Sequence, residues 1–249
     1  MRIIFSCLTN MNGRKQLKLE AIMMQRKPWI LLGLLFATCV AASGTHADDS
    51  DTFAGMSSSV DLGQYHTDFA YPDGNHQADI SRYGITFVQP IAPDIGFGLQ
   101  GGYMTAGVNN STLYPLGDGY GPFLGLFFAS RIPLDDYVSL DFHAGYTWHD
   151  MSYRGQNQQA DITWYSSFVS MGPVLRLWRW RVSAGGYYQH FDGTENDTGN
   201  VSGRQDFSAA HSTGAYFGFA YYLDRTGSMG IYATSGARQG VQLVFKREF

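Results

Sequence analysis

The residue types that can do chemistry are sparse in this sequence, and the best spaced of them are Asp141 and His143. Residues two apart in a β-strand point to the same side, so this carboxylate and this imidazole can share a proton-transfer task. The alternation around them predicts that both face the inside of the protein, near the start of their strand. A buried polar pair held by neighbouring groups is the commoner arrangement at such a place. The sequence therefore predicts no catalytic residue.

Two other histidines stand directly beside a hydroxyl residue, in the dipeptides 211–212 and 66–67. Adjacent residues of a strand point to opposite faces, so neither pair can act on one substrate. Acidic residues between 192 and 207 offer oxygen ligands for a divalent cation, although their spacing is not that of a calcium loop. They are Asp192, Glu195, Asp197 and Asp206. The alternative is a solvated loop, and neither a metal nor a cofactor is predicted.

The composition favours a β-protein. Charged residues and aromatic residues each make up 15% of the chain, and 30 of its 249 residues are glycine. The mean hydropathy is slightly negative. Many aromatic residues with few charges and no overall hydrophobicity disfavour a bundle of membrane helices and are typical of a β-protein.

The one continuously apolar segment covers residues 29–42, which is short for a transmembrane helix. Two basic residues precede it and a small-x-small site ends at Ala47, so residues 24–47 are predicted to be a secretory signal peptide cleaved near Ala47. We expect the true start near residue 24, with 1–47 as the leader and 48–249 as a single domain. Cleavage removes both cysteines and leaves eleven basic against twenty acidic residues. Thiol chemistry and a nucleic-acid partner are therefore not expected.

Apolar and polar residues alternate through the rest of the chain. Residues 137–149, YVSLDFHAGYTWH, have one apolar and one polar parity, and the terminal VQLVFKREF repeats the pattern. Ten strands are predicted, at residues 57–70, 79–90, 95–107, 119–131, 137–149, 160–177, 181–192, 208–223, 228–235 and 239–249. The ninth is the weakest, and eight strands with 224–239 as an irregular segment is the alternative.

The predicted connections alternate between short and long. Turns at 91–94, 132–136, 178–180 and 224–227 are short, whereas the connections between them are longer and polar. Segments of about ten alternating residues with this asymmetry are typical of a transmembrane barrel. The sequence therefore predicts an all-β fold, a closed antiparallel transmembrane β-barrel, because an open edge would leave backbone groups unpaired in lipid.

The mature chain resembles the small β-barrel outer-membrane proteins of Gram-negative bacteria. The resemblance rests on the leader, the alternating strands and the aromatic terminus, where Phe249 shares a face with Val241, Leu243 and Phe245. It implies that these four residues are the signal read by the barrel assembly machinery, although Arg247 replaces the aromatic residue usual at its position. The implied location is the bacterial outer membrane. The implied partners are the assembly machinery and outer-membrane lipid, including lipopolysaccharide.

Aromatic residues at the strand ends are predicted to lie at the two membrane interfaces. The periplasmic set is Tyr137, Trp178, Trp180 and Tyr221, and the outer set is Tyr103, Tyr120, Trp148 and Tyr188. Inward-facing polar residues are predicted to form a salt-bridged plug in the lumen. They are Asp61, Arg82, Arg131, Asp141, His143, Arg176, Lys246 and Glu248. Within this plug, Asp141 is expected to lie near Arg131 and Arg176.

A largely side-chain-filled lumen predicts a structural, adhesive or surface-interaction role with an unknown surface ligand. A narrow passive pore is one alternative, since ten strands fall between filled barrels and wide channels. An outer-membrane lipid-modifying enzyme or protease is the other. Residues 141–143 have the Asp-x-His spacing of omptin proteases, but they lie far from the outer rim. The His-x-Ser arrangement of barrel-type lipid A deacylases is not found.

Overall fold

The computed structural model describes most of the chain after residue 54, namely residues 55–109, 118–155, 157–200 and 202–249. The predicted leader, its cleavage near Ala47 and the start of the domain at residue 48 lie outside the described residues. The same is true of most of the predicted loop at 109–119. Among the described residues no helix is long and apolar enough to cross a membrane.

The described residues form eleven β-strands. They are β1 (Ser57–Tyr71), β2 (Gly74–Ala92), β3 (Ile95–Asn109), β4 (Gly119–Pro133), β5 (Val138–Arg154), β6 (Gln158–Leu177), β7 (Trp180–Gly199), β8 (Gly203–Ala209), β9 (Thr213–Tyr222), β10 (Gly227–Gly236) and β11 (Gln239–Glu248). All pairings are antiparallel, and the turns after β2, β4, β6 and β9 are short, as the sequence predicts.

Ten of the strands close into a ring. From β1 to β7, each strand of the ring bonds its neighbour in the chain. The ring then continues from β7 to β9, β10 and β11, and β11 bonds β1. The closing pair runs from Ser57 opposite Glu248 to His66 opposite Gln239. The predicted closed ten-stranded barrel is confirmed. The eight-strand alternative is wrong, because β10 bonds both β9 and β11 along its length.

The strand β8 narrows the outer end of the barrel to eight strands. The lower part of β7 pairs with β9 from Trp180 to Tyr188, and its upper part pairs with β8 from Asp192 to Asp197. The far edge of β8 bonds β1 at Phe69. Above the ends of β9 to β11, the ring is therefore completed by β8. The polar stretch 192–207, predicted as a long loop, is instead a paired hairpin.

The other long polar connections are also largely strand. The first hairpin turns between Tyr71 and Gly74, and the one between β5 and β6 turns between Arg154 and Gln158. Polar residues on both faces do not break the backbone pairing, so the strands continue well above the apolar part of the barrel. The predicted loops at 71–78 and 150–159 are thus too long.

Outward side chains of the ring form an apolar belt. Leu124, Leu126, Phe217, Ile231 and Val241, on four different strands, are each 48–61% exposed. Apolar surface on this scale is unfavourable in water and indicates contact with another apolar phase. The start of β1 and the end of β11 lie on the side of the short turns, which is the periplasmic side in such barrels. The belt therefore identifies a transmembrane barrel with its long hairpins outside the cell.

We expect Leu126→Arg to destabilise the barrel by about 2–4 kcal/mol, because it places a charge on the lipid face near mid-belt. Urea titration of the protein refolded into lipid vesicles measures this change. Thr198→Arg, an outward and exposed position on the β7 extension, is the matched control and should change stability little. Equal losses in both variants would contradict the assignment of the belt.

Candidate functional site

The interior of the barrel has two parts, because the ring has two widths. In the eight-stranded outer part, inward side chains from opposite walls touch and form an apolar core. In the ten-stranded part, the walls enclose a cavity of about 410 Å³ that is lined by both polar and apolar side chains. We call these parts the outer seal and the chamber.

The outer seal consists of Phe69, Trp164, Phe191 and Phe207, all at most 4% exposed. The ring of Phe69 lies 5.2 Å from that of Phe191, 5.0 Å from that of Phe207 and 6.0 Å from that of Trp164. Aromatic pairs at these distances contribute about 0.5–1.5 kcal/mol each beyond the apolar area that they bury. Aromatic rings therefore fill the outer end of the lumen, whereas most of the charged side chains predicted to form the plug line the chamber below.

The upper polar cluster of the chamber is built around Arg82. Its guanidinium donates to the side-chain oxygen of Gln100 at 2.7 Å and lies 3.9 Å from the ring centre of Phe123. Gln100 in turn donates to the hydroxyl of Thr147 at 2.8 Å. The nearest approach of Arg82 to the carboxylate of Asp61 is 3.7 Å, which is too long for a hydrogen bond. This ion pair is therefore loose.

The lower polar cluster is built around Asp141 and is tight. Arg131 reaches the carboxylate at 3.1 and 3.3 Å, Arg181 at 2.5 Å, and the hydroxyl of Ser139 donates to it at 3.0 Å. A carboxylate held by two guanidinium groups is not available as a base. His143 lines the chamber nearby. The pair 141–143 is thus part of a structural network.

The predicted partner Arg176 is not among the contacts of Asp141, and Arg181 takes that place. Arg176 lies four residues beyond Gly172, the register partner of Asp141, toward the periplasmic end. Arg181 on β7 reaches Asp141 across β6, at a level where Gly172 carries no side chain. The inward parity of Arg181 is visible in the sequence, but its place directly after Trp180 at a periplasmic turn is equally typical of an interfacial anchor.

The remaining predicted lumen residues form a separate pair. Lys246 and Glu248 contact each other at 2.6 Å near the periplasmic end of β11. Sequence reasoning also missed Arg238, which lies in the turn between β10 and β11, where alternation assigns no face. Its guanidinium lies 5.1 Å from the ring centre of Tyr65, inside the chamber.

The acidic residues of the β7–β8 hairpin are divided between its two faces. Glu195 and Asp197 face the inside of the barrel, whereas Asp192 and Asp206 lie on the outside and are exposed. The described residues contain no group of three side chains that could hold a metal ion. The hypothesis that this segment holds a cation is therefore unsupported, because the strands direct its carboxylates to opposite faces of the hairpin.

Glu195 lies at the outer mouth of the lumen, well above the belt. Its carboxyl accepts a hydrogen bond of 2.6 Å from the hydroxyl of Tyr71, and Asp197, Tyr153 and His76 face the same place. Burial raises the pKa of Glu195 although the bond from Tyr71 opposes this effect. Burial likewise raises the pKa of Tyr71.

The aromatic residues predicted at the interfaces lie on the outer surface of the strands. On the periplasmic side Trp180 packs against Tyr221 at 4.5 Å between ring centres, and Trp178 is 85% exposed beside its turn. Tyr137 lies there too. On the other side Tyr103 stacks on Tyr120 at 6.3 Å. The remaining members of the outer set are Trp148 on β5 and Tyr188 on β7.

The terminal residues continue the barrel wall. The amide of Phe249 donates to the carbonyl of Met56 at 2.8 Å, so the last residue is tied to the start of β1. Val241, Leu243 and Phe245 lie on β11, with Val241 half exposed in the belt. Their role as an assembly signal stays a prediction.

A row of polar residues lies on the outer surface at the level of the outer tyrosines. His190 contacts Asp192 at 2.9 Å through its Nε2 atom, and Ser167 lies directly opposite His190 on β6. The hydroxyl of Ser167 donates to the backbone carbonyl of His190 at 3.5 Å. The sequence could not reveal this row, because its serine comes from a neighbouring strand. The histidines of the dipeptides 66–67 and 211–212 have other partners. His66 contacts Asp79, and His211 lies 3.9 Å from Asp68.

The ring and the belt together define the chain as a small transmembrane β-barrel, the architecture that the resemblance implied. No protein-family model and no curated protein sequence matches it. The solved structures similar to it include the outer membrane protease OmpT from Escherichia coli, at 11% identity over 82% of this chain and 99% of that one, with a TM-score of 0.49. They also include the translocator domain of the autotransporter NalP from Neisseria meningitidis, at 10% identity over 94% and 98%, with a TM-score of 0.41. These likenesses concern barrel architecture alone.

We expect Glu195→Gln to flatten the pH dependence of stability. A raised pKa means that the folded barrel holds this proton more tightly than the unfolded chain. The resulting stability is complete below the ordinary carboxyl range and is lost as the pH rises through the raised pKa. Glutamine keeps an acceptor for Tyr71 and has no proton to lose. Unfolding midpoints from about pH 4 to about pH 7 should therefore fall less in the variant than in the wild type.

Asp206→Asn, at an exposed position on the same hairpin, is the control and should follow the wild-type curve. Parallel curves for the wild type and Glu195→Gln would contradict the assignment.

Proposed function

We propose that this protein is a closed barrel of the bacterial outer membrane with a structural, adhesive or surface-interaction role. The observation that carries the proposal is the outer seal, in which four aromatic side chains fill the narrow end of the lumen. A protein without a path for solutes acts through its surfaces. The surfaces available outside the membrane are those of the long hairpins.

The hairpins suit recognition because they are paired strands and not free loops. The β7–β8 hairpin is bonded along both its strands, and its base is joined to β1 at Phe69. Rigid elements lose little conformational entropy when they bind. The surface ligand is proposed to lie outside the cell, with lipopolysaccharide as the nearest neighbour of the hairpins.

The outer seal also disfavours a passive pore, because it fills the outer end of the lumen. Rings in contact at 5–6 Å between centres leave no passage for a hydrated ion. The chamber below the seal would hold water or solute but would not conduct. Opening the barrel would require the aromatic side chains to leave one another.

We expect wild-type protein in planar bilayers to show no stable conductance steps. The double variant Trp164→Ala with Phe207→Ala should show them, because it removes two of the four rings that fill the narrow end. Phe217→Ala, which removes a ring from the lipid face, is the matched control and should stay silent. Steady steps from the wild type, or a silent double variant that is correctly folded, would contradict the proposed closure.

A second candidate is an esterase at the outer interface, favoured by the row of Ser167, His190 and Asp192. A carboxylate that orients an imidazole beside a hydroxyl is the arrangement that activates a serine for acyl transfer. The row lies on the lipid side between Tyr165 and Tyr188, where an acyl ester of the outer leaflet would reach it. The long bond from Ser167 to a backbone carbonyl would have to be exchanged for one to His190.

Hydrolysis of p-nitrophenyl esters by the refolded barrel tests this candidate. If the row is a catalytic site, Ser167→Ala should lower turnover by about 10²-fold or more. Ser81→Ala, on the outer face of β2, is the control and should leave turnover unchanged. Absence of turnover in the wild type, or equal turnover in both variants, would exclude the esterase.

A further inference from the structure

We infer that the chamber is a binding site for a small oxyanion, such as a phosphate, admitted from the periplasmic side. This inference goes beyond the proposed surface role, since it concerns the inside of the barrel. It rests on the balance of charge in the chamber, on the geometry of its guanidinium groups and on the position of the outer seal.

Positive charge exceeds negative charge inside the chamber. Four arginines face the cavity, together with only two carboxylates from the described residues, Asp61 and Asp141. A fifth cation, Lys246, has Glu248 as its own partner at 2.6 Å. The arginines are Arg82, Arg131, Arg181 and Arg238. Among the residues that line the chamber, guanidinium groups therefore outnumber carboxylates by two.

The excess charge is costly where it lies. The chamber is bounded by the belt on its sides and by the outer seal above, so its walls have a low dielectric constant. An uncompensated charge in such surroundings is strongly unfavourable, and a counter-charge recovers much of that cost. An anion in the chamber would supply it.

Each cluster combines two guanidinium groups with one carboxylate, but the looser pairing lies in the upper cluster. In the lower cluster Asp141 is bonded to both guanidinium groups. In the upper cluster Arg82 and Arg238 share only Asp61, and that carboxylate stays 3.7 Å from Arg82. One carboxylate oxygen of Asp61 and the Nε of Arg82 are buried without a hydrogen-bond partner, whereas in the lower cluster this holds for the Nε of Arg181 alone. The upper cluster thus has donors that its own acceptor does not satisfy.

The guanidinium of Arg238 is held in position by the turn that carries it. The backbone amide of Arg238 donates to the hydroxyl of Tyr187 at 2.8 Å, and that hydroxyl lies 3.0 Å from the carbonyl oxygens of Ser235 and Arg238, which share its one proton. The ring of Tyr65 supports the guanidinium from below. A planar, pre-positioned fork of N–H donors matches the geometry of an oxyanion.

The anion must enter from the periplasm, because the outer seal closes the other end. Lys246 lies at the periplasmic end of the chamber and its side chain is 28% exposed, so solvent reaches this end. The volume of about 410 Å³ falls within the range of small-molecule sites. A phosphate or a small phosphorylated compound fits it.

Calorimetric titration of the refolded barrel with inorganic phosphate, in a phosphate-free detergent at constant ionic strength, tests the inference. We expect one phosphate per barrel in the wild type. Arg238→Gln should weaken binding by about tenfold or more, because a hydrogen-bonded charge is lost while no carboxylate is left without its partner. Asp61→Asn should strengthen binding, because it removes the competing anion.

Arg204→Gln, at an exposed position on the β7–β8 hairpin, is the control and should bind as the wild type does. Opposite effects of the two chamber variants cannot come from a general loss of stability. No binding by the wild type, or equal affinity in Arg238→Gln and the wild type, would overturn the inference. Binding of dihexanoyl phosphatidate without binding of inorganic phosphate would also overturn it, since it would indicate a lipid headgroup site.

Discussion

The pairing of every backbone group within the bilayer is the constraint on which the rest of this structure depends. Lipid offers no hydrogen bonds, so the first strand must bond the last, and β1 meets β11 over ten residues. Closure also fixes the register, because a slip of one residue would turn each side chain to the opposite face. Leu126 in the belt and Asp141 in the lumen therefore follow from the same bonding pattern.

Backbone groups beyond the bilayer can bond water, so the requirement for complete pairing ends there. The number of strands in the ring changes at this level. Three neighbouring strands, β9 to β11, stop after ten residues each, and β8 bridges the gap between β7 and β1. A ring of eight strands is narrow enough for opposing side chains to meet, whereas a ring of ten leaves space. The aromatic seal and the chamber thus both follow from the number of strands in the ring at each level.

The sequence predicts the ring well because alternation is a local signal. The strands expected at 57–70 and 228–235 match Ser57–Tyr71 and Gly227–Gly236 closely. It fails at 192–207, since many residues there are polar and the pairing of β8 with β7 and with the distant β1 leaves no alternation in the sequence. Side-chain partners are equally non-local. Parity predicts that Arg181 faces inward, but its pairing with Asp141 spans the strand between them, which no local pattern reveals.

The two carboxylates of the chamber differ in a way that limits what each can do. Asp141 is surrounded by donors and is saturated, so its role is to hold β4, β5 and β7 together from inside. Asp61 lies opposite Gly84, where a methyl group would meet its carboxylate at 2.7 Å, so the space for it is provided by the neighbouring strand. Yet no donor lies as close to the carboxylate of Asp61 as the donors that surround Asp141. A function that needs a charge with few hydrogen-bond partners would therefore involve the upper cluster, whereas the lower cluster stabilises the fold.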